Sequence, residues 1–215
     1  QWNDYQNQIR DEELQILIGI SNKIIELQPY IKENISLAST LDLIFAKAKY
    51  SIQIKGNINL KEEGYSQINL KNCKHPLLGE GAVPISLEID NKTTTIVISG
   101  PNAGGKTVAL KTLGLACLMS QSGIQIPCSP DSKLPIFTKF FVHIGDEQDL
   151  DKSESSFSSH ISNIIFTIRN CDKNSLILID EIVSSTDPDE GLALASAILN
   201  YLNKRKSTSI ITTHI

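Results

Sequence analysis

The stretch Thr94-Thr95-Ile96-Val97-Ile98-Ser99-Gly100-Pro101-Asn102-Ala103-Gly104-Gly105-Lys106-Thr107 decides how the chain reads. Thr94–Ser99 is rich in Thr, Ile and Val and predicts a buried strand. The next eight residues fit G-x-x-x-x-G-K-[ST]. A helix is predicted from Lys106 to about Gln121, ending at Gly123. Strand, glycine loop and helix in that order form an anion seat. Glycines let successive backbone N–H groups turn toward one phosphate, and the helix aims its N-terminal dipole at the same point. In this reading Gly100, Pro101, Asn102, Ala103, Gly104 and Gly105 line the phosphates. Lys106 reaches the β- and γ-phosphates, and the Thr107 hydroxyl faces Mg²⁺. At ordinary residue frequencies such a match arises in roughly one chain in a hundred of this length, so the motif carries weight.

Downstream, strands and helices alternate. Phe137–Ile144, Leu176–Ile179 and Ser209–Thr212 read as strands, and Ser156–Asn170 and Asp189–Asn203 as helices. That alternation predicts a mostly parallel α/β sheet covered on both faces. Leu176-Ile177-Leu178-Ile179-Asp180-Glu181 delivers two acids to the carboxyl end of a buried strand, where ligands bind in such sheets. Asp180 is then the residue for the Mg²⁺ shell, and Glu181 the general base for an attacking water. Asp149–His160 is polar and opens a helix rich in serines, which suits either helix capping or a phosphate grip. Ser185-Thr186-Asp187-Pro188 caps the helix that follows.

Upstream the texture differs. Residues 1 to about 50 contain one glycine, Gly19. Leu14, Leu17, Ile18, Ile24 and Ile25, then Leu41, Ile44, Phe45 and Ala48, recur at helical spacing. A core-packed amphipathic helix or two packed helices are predicted, with a break or kink at Pro29. Between Ser51 and Glu88, the pieces Gln67–Leu70 and Val83–Glu88 read as an antiparallel edge. The expected division is therefore a helical segment at 1–50 and the α/β domain at 51–215.

Composition narrows the class. Of 215 residues, 40% are hydrophobic and 20% charged, which suffices for a globular core. Lys plus Arg is 20 and Asp plus Glu 24, giving −4, which argues against a basic nucleic-acid surface spread over the chain. No apolar run of about 18 residues exists, so no membrane partner is expected. Cys73, Cys117, Cys128 and Cys171 lack paired metal-ligand spacing and read as buried reduced thiols of a cytoplasmic protein. The chain begins at Gln1 without Met or a signal-like segment, so a fragment of a longer protein is expected.

Taken together, the chain resembles the MutS family of ATPases over nearly its whole length from about Leu14. It looks closest to the second bacterial branch, whose full-length members carry a C-terminal Smr nuclease domain. The resemblance rests on Cys73-Lys74-His75-Pro76-Leu77-Leu78, on Ile98-Ser99-Gly100-Pro101-Asn102 running into Gly104-Gly105-Lys106-Thr107, and on Gln121-Ser122-Gly123. Ile144-Gly145-Asp146-Glu147-Gln148, Phe157-Ser158-Ser159-His160 and Thr186-Asp187-Pro188-Asp189-Glu190-Gly191 point to that branch. Leu41–Ala48 resembles the end of the family's lever region.

The resemblance implies an ABC-type P-loop NTPase fold, ATP and Mg²⁺ as ligands, and a homodimer with two composite sites. It implies Ser155 as the signature serine acting on the partner's nucleotide and His214, after the last strand, as the switch. It places Val83 and Pro84 beside adenine and Ser185–Pro188 as the D-loop. DNA, as branched or recombination intermediates or mismatches, or else rRNA on collided ribosomes, would be engaged through regions outside this chain. The chain departs from the family at Val183 and Ser185, where glycines are usual, and at Ser156, where Thr is usual. It also stops just after His214, so further sheet and helices of the family are expected beyond it. Two readings compete with a nucleic-acid-acting ATPase. One is the nucleotide-binding subunit of an ABC transporter, disfavoured by the helical lead-in and the lack of an LSGGQ-like segment. The other is a binding switch with negligible turnover.

Overall fold

The structure is a computed structural model that describes residues 1–57, 67–90, 92–101, 104–145, 153–182 and 188–214. It comprises two compact units, Gln1–Lys49 and Tyr50–Ile215.

The first unit is helical throughout, within α1 (Trp2–Gln53). The helix continues through Pro29, so the break expected there does not occur. Proline removes one N–H, which leaves the Ile25 carbonyl without its helical donor. In an exposed helix water takes that place, and one missing rung does not end the ladder. The apolar positions expected in a core are also different here: Leu14, Leu17, Ile18, Ile24, Ile25, Leu41, Ile44 and Phe45 are 43–71% exposed. Helical spacing reports which side chains share a face, and not what covers that face.

The second unit is built on a four-stranded parallel sheet of β3 (Thr95–Ser99), β4 (Lys139–His143), β5 (Ser175–Ile179) and β6 (Thr208–Thr213). The spatial order is β3-β6-β5-β4. Central β5 and β6 are buried at every position, as expected of strands covered on both faces. Their side chains divide by the period of two. Leu176, Leu178 and Ile210 join Leu110, Leu113 and Cys117 of α2 (Lys106–Gln121). Ile177, Ile179 and Ile211 join Ile164 of α3 (Ser153–Asn170) and Ile198 and Leu202 of α4 (Pro188–Arg205). Helix α2 lies so close to the sheet that a Cβ at Gly114 would stand 2.8 Å from Leu178 Cδ1.

The antiparallel pair expected upstream of the glycine loop is β1 (Ile68–Cys73) and β2 (Ile85–Ile89), a two-stranded sheet of its own beside the parallel one. Ile68, Leu70, Cys73 and Ile89 turn inward and extend the α2-side core through Leu134 and Phe137. A register shift lies between Leu70 and Cys73, where Asn72 takes a φ of +49°. The Gln121 side chain clamps the approach to β4. Its Nε2 donates to Phe137 O (2.9 Å) and its Oε1 accepts from Phe137 N (2.8 Å). All four cysteines are buried and none is in a disulfide, and burial pushes the Cys73 and Cys117 thiols up to about 12.

Candidate active site at the carboxyl edge of the sheet

Strand register assembles the site. Ser99 pairs with Thr213, so Gly100 follows beside His214. Ile179 pairs with Ile211, so Asp180 follows beside Thr212. His143 pairs with Ile179, and its carbonyl accepts the Asp180 N–H at 2.8 Å. The glycine loop and the two acids therefore flank the end of β6.

Lys106 is buried. Its Nζ donates to Gly100 O, to Thr213 O (3.1 Å) and to His214 Nδ1 (3.1 Å). Among the described residues no carboxylate lies within ion-pair distance of it. A buried ammonium surrounded by neutral acceptors keeps its charge uncompensated, and an anion is its natural complement. The helix behind it points the same way. The α2 N-cap is Gly105 at φ +76°, a left-handed conformation that glycine adopts without strain, and it supplies no side-chain cap. The first N–H groups of α2 therefore remain for a ligand.

His214 bridges the lysine to Glu181. Lys106 Nζ can only donate, so Nδ1 of His214 accepts and its proton resides on Nε2. Nε2 then donates to Glu181 Oε1 at 2.7 Å. Glu181 itself sits at φ +55°, unusual for a residue with a side chain, and its N–H donates to Thr212 Oγ1 at 2.8 Å.

Thr107 Oγ1 donates to Asp180 Oδ2 at 2.6 Å, and Thr212 Oγ1 donates to Asp180 Oδ1 at 2.6 Å. A hydroxyl and a carboxylate meeting at one point, beside an anion seat, are the hard oxygen donors that Mg²⁺ takes when it also binds phosphate. The donor set fits that ion.

Lys106, Thr107, Asp180, Glu181 and His214 are thus brought into one hydrogen-bonded group. Pro101 and Gly104 continue the loop, with the Gly104 N–H donating to Pro101 O at 3.1 Å. Val83 (82% exposed) and Pro84 lie in the loop before β2, outside that group. Asn102, Ala103, Val183 and Ser185–Asp187 fall outside the described residues, as does the side chain of Ser155, whose backbone belongs to α3. Two participants were missed by sequence reasoning. Thr212 reads as an ordinary β-former, and the Thr213 carbonyl carries no side-chain signal. His143, one strand away, donates from Nε2 to Thr167 Oγ1 at 2.7 Å, since the Thr167 hydroxyl proton goes to Asn163 O at 3.0 Å. Burial, and then the neighbouring His160, hold the His143 pKa below its ordinary value.

Residues 96–215, more than half of the chain, match the family described as MutS domain V. The chain belongs to the MutS domain V family. This domain has the P-loop ATPase fold, in keeping with the parallel sheet and glycine loop above. MutS-family relatives match along nearly the whole chain. Similarity reaches 45% identity over 98% of the chain to a protein named Endonuclease MutS2 from Caldanaerobacter subterraneus subsp. tengcongensis. A protein of the same name from Finegoldia magna is 46% identical over 95% of the chain, and one from Geobacillus sp. 44% over 93%. The chain spans 28%, 26% and 25% of these relatives, about a quarter of their length. Among the described residues no helix is long and apolar enough to cross a membrane.

Proposed function

We propose that this MutS domain binds ATP with Mg²⁺ and hydrolyses it to ADP and phosphate. The observation that carries the proposal is the buried Lys106 ammonium, joined through His214 to Glu181 and free of any carboxylate partner among the described residues. Lys106 and the α2 N-terminus hold the β- and γ-phosphates, with Asn102 lining the same loop. Thr107 and Asp180 hold Mg²⁺, which supplies charge neutralisation on the phosphate oxygens when bound. Glu181 accepts a proton from water as the water oxygen attacks the γ-phosphorus and the bond to the β–γ bridging oxygen breaks. His214 keeps the Glu181 carboxylate oriented through its Nε2–H and faces the γ-phosphate with the same ring edge. The Val83–Pro84 loop borders adenine.

A second copy of the chain completes the site. Ser155, at the start of α3, acts on the γ-phosphate held by the partner in a homodimer, and the 183–187 segment couples the two sites. Residues 1–50 serve as the end of a lever that carries nucleotide state to regions outside this chain. The target in this reading is DNA, as branched or recombination intermediates met in the cytoplasm; the relatives' name, Endonuclease MutS2, supports a DNA-related role. The nuclease activity named in those relatives is not assigned to this quarter-length segment. Steady-state phosphate release with Mg²⁺, measured across protein concentration, tests the whole. Turnover rising faster than linearly is expected for a composite site. Nucleotide binding without turnover at any concentration would leave a binding switch in its place.

A further inference from the structure

We infer that Thr212 is a positioning residue for hydrolysis, its single hydroxyl setting both the carboxylate that holds the metal and the backbone that aims the general base. This rests on the ATPase reading above. The side chain is fully buried at the carboxyl end of β6, where the parallel register sets it beside Asp180. Its proton is committed to Asp180 Oδ1 (2.6 Å), and its lone pair accepts the Glu181 N–H (2.8 Å). With Oδ1 held, the other oxygen, Oδ2, is the one turned to Thr107 (2.6 Å). With its N–H held, Glu181 keeps the left-handed φ of +55° that turns its carboxylate toward His214. One hydroxyl thus fixes two consecutive residues with different tasks. Its own main chain closes the same turn, since the Ile182 N–H donates to Thr212 O at 3.2 Å.

A residue that merely fills the core would be replaced by valine without loss, because valine has the same shape and lacks only the hydroxyl. For Thr212→Val, kcat falls about 10- to 100-fold and the half-saturating Mg²⁺ concentration rises, as for other partners standing behind metal ligands. Affinity for ATP in EDTA, which depends on Lys106 and the α2 N-terminus, is unchanged. Thr212→Ser, which restores the hydroxyl, recovers both quantities. An independent readout needs no nucleotide: the Glu181 amide exchanges its hydrogen faster in Thr212→Val than in the wild type or Thr212→Ser. Wild-type kcat and Mg²⁺ dependence in Thr212→Val, or an equally protected Glu181 amide, overturns the proposal. If the wild type neither binds nor hydrolyses ATP, the ATPase reading fails by itself. The amide-exchange contrast then still decides whether Thr212 holds Glu181.

Discussion

His214 Nε2 stands 2.7 Å from Glu181 Oε1, and the other nitrogen of the same ring stands 3.1 Å from Lys106 Nζ. One imidazole therefore connects the cation of the glycine loop to the carboxylate at the end of β5. Because Lys106 can only donate, the ring is held as the Nε2–H tautomer, and the Glu181 carboxylate is held as an acceptor.

Glu181→Gln removes the base while keeping an acceptor oxygen for His214. Phosphate release is expected to fall by at least about 100-fold, the scale of general-base catalysis. ATP binding persists, and an ATP-bound dimer accumulates. Unchanged phosphate release in this variant would remove Glu181 from the chemistry.

Lys106→Ala takes away the buried ammonium. Its loss should weaken ATP binding about 10- to 100-fold, the equivalent of one or two charge-assisted hydrogen bonds. A fluorescent-nucleotide titration reads this directly, and wild-type affinity would refute the phosphate-loop role.

Gly114 and Leu178 are expected to be coupled. Gly114→Ala pushes a methyl group against Leu178 Cδ1, 2.8 Å away in a packed core, and should destabilise the fold. Leu178→Ala costs about 2–5 kcal/mol by itself. In that background the added methyl fills space, and the helix propensity of alanine over glycine, about 1 kcal/mol, makes Gly114→Ala stabilising. Urea unfolding of the four proteins checks the change of sign, and additive effects would show that α2 and β5 are not in tight contact there.

Stability should depend on pH through His143. Burial and His160 hold its pKa in the folded protein below the ordinary 6.5. Between the depressed value and 6.5 the unfolded chain binds the proton and the folded chain does not. Stability is therefore fully present above 6.5 and is lost as pH falls toward the folded value. Urea midpoints measured on either side of 6.5 should show this slope, and His143→Gln should flatten it. An unaltered slope in that variant would assign the effect to another group.

What could be read from the chain alone follows from the range of the forces involved. The limits of α2 at Lys106 and Gln121, and the burial of Leu176–Ile179, depend on nearest neighbours: a glycine before the helix, another after it, and four apolar residues in a row. Lys106, Thr107, Asp180, Glu181 and His214 stood out for the same reason, each carrying its chemistry in its side chain, the first two where the glycine loop opens a helix and the other three where a strand ends. The tertiary structure decided the rest. Only the order β3-β6-β5-β4 puts β6 between the glycine loop and the acids. Thr212 acquires two partners there that lie 31 and 32 residues away in sequence. The left-handed Glu181 is likewise a product of that packing, because nothing in its local sequence favours a positive φ. At Pro29, the strongest local signal for a break gave way to a continuous helix, since one lost hydrogen bond is small against the ladder on either side. Local pattern specifies elements and side-chain chemistry. Which atoms meet at a sheet edge is settled by pairings between strands remote in the chain, and no periodicity encodes them.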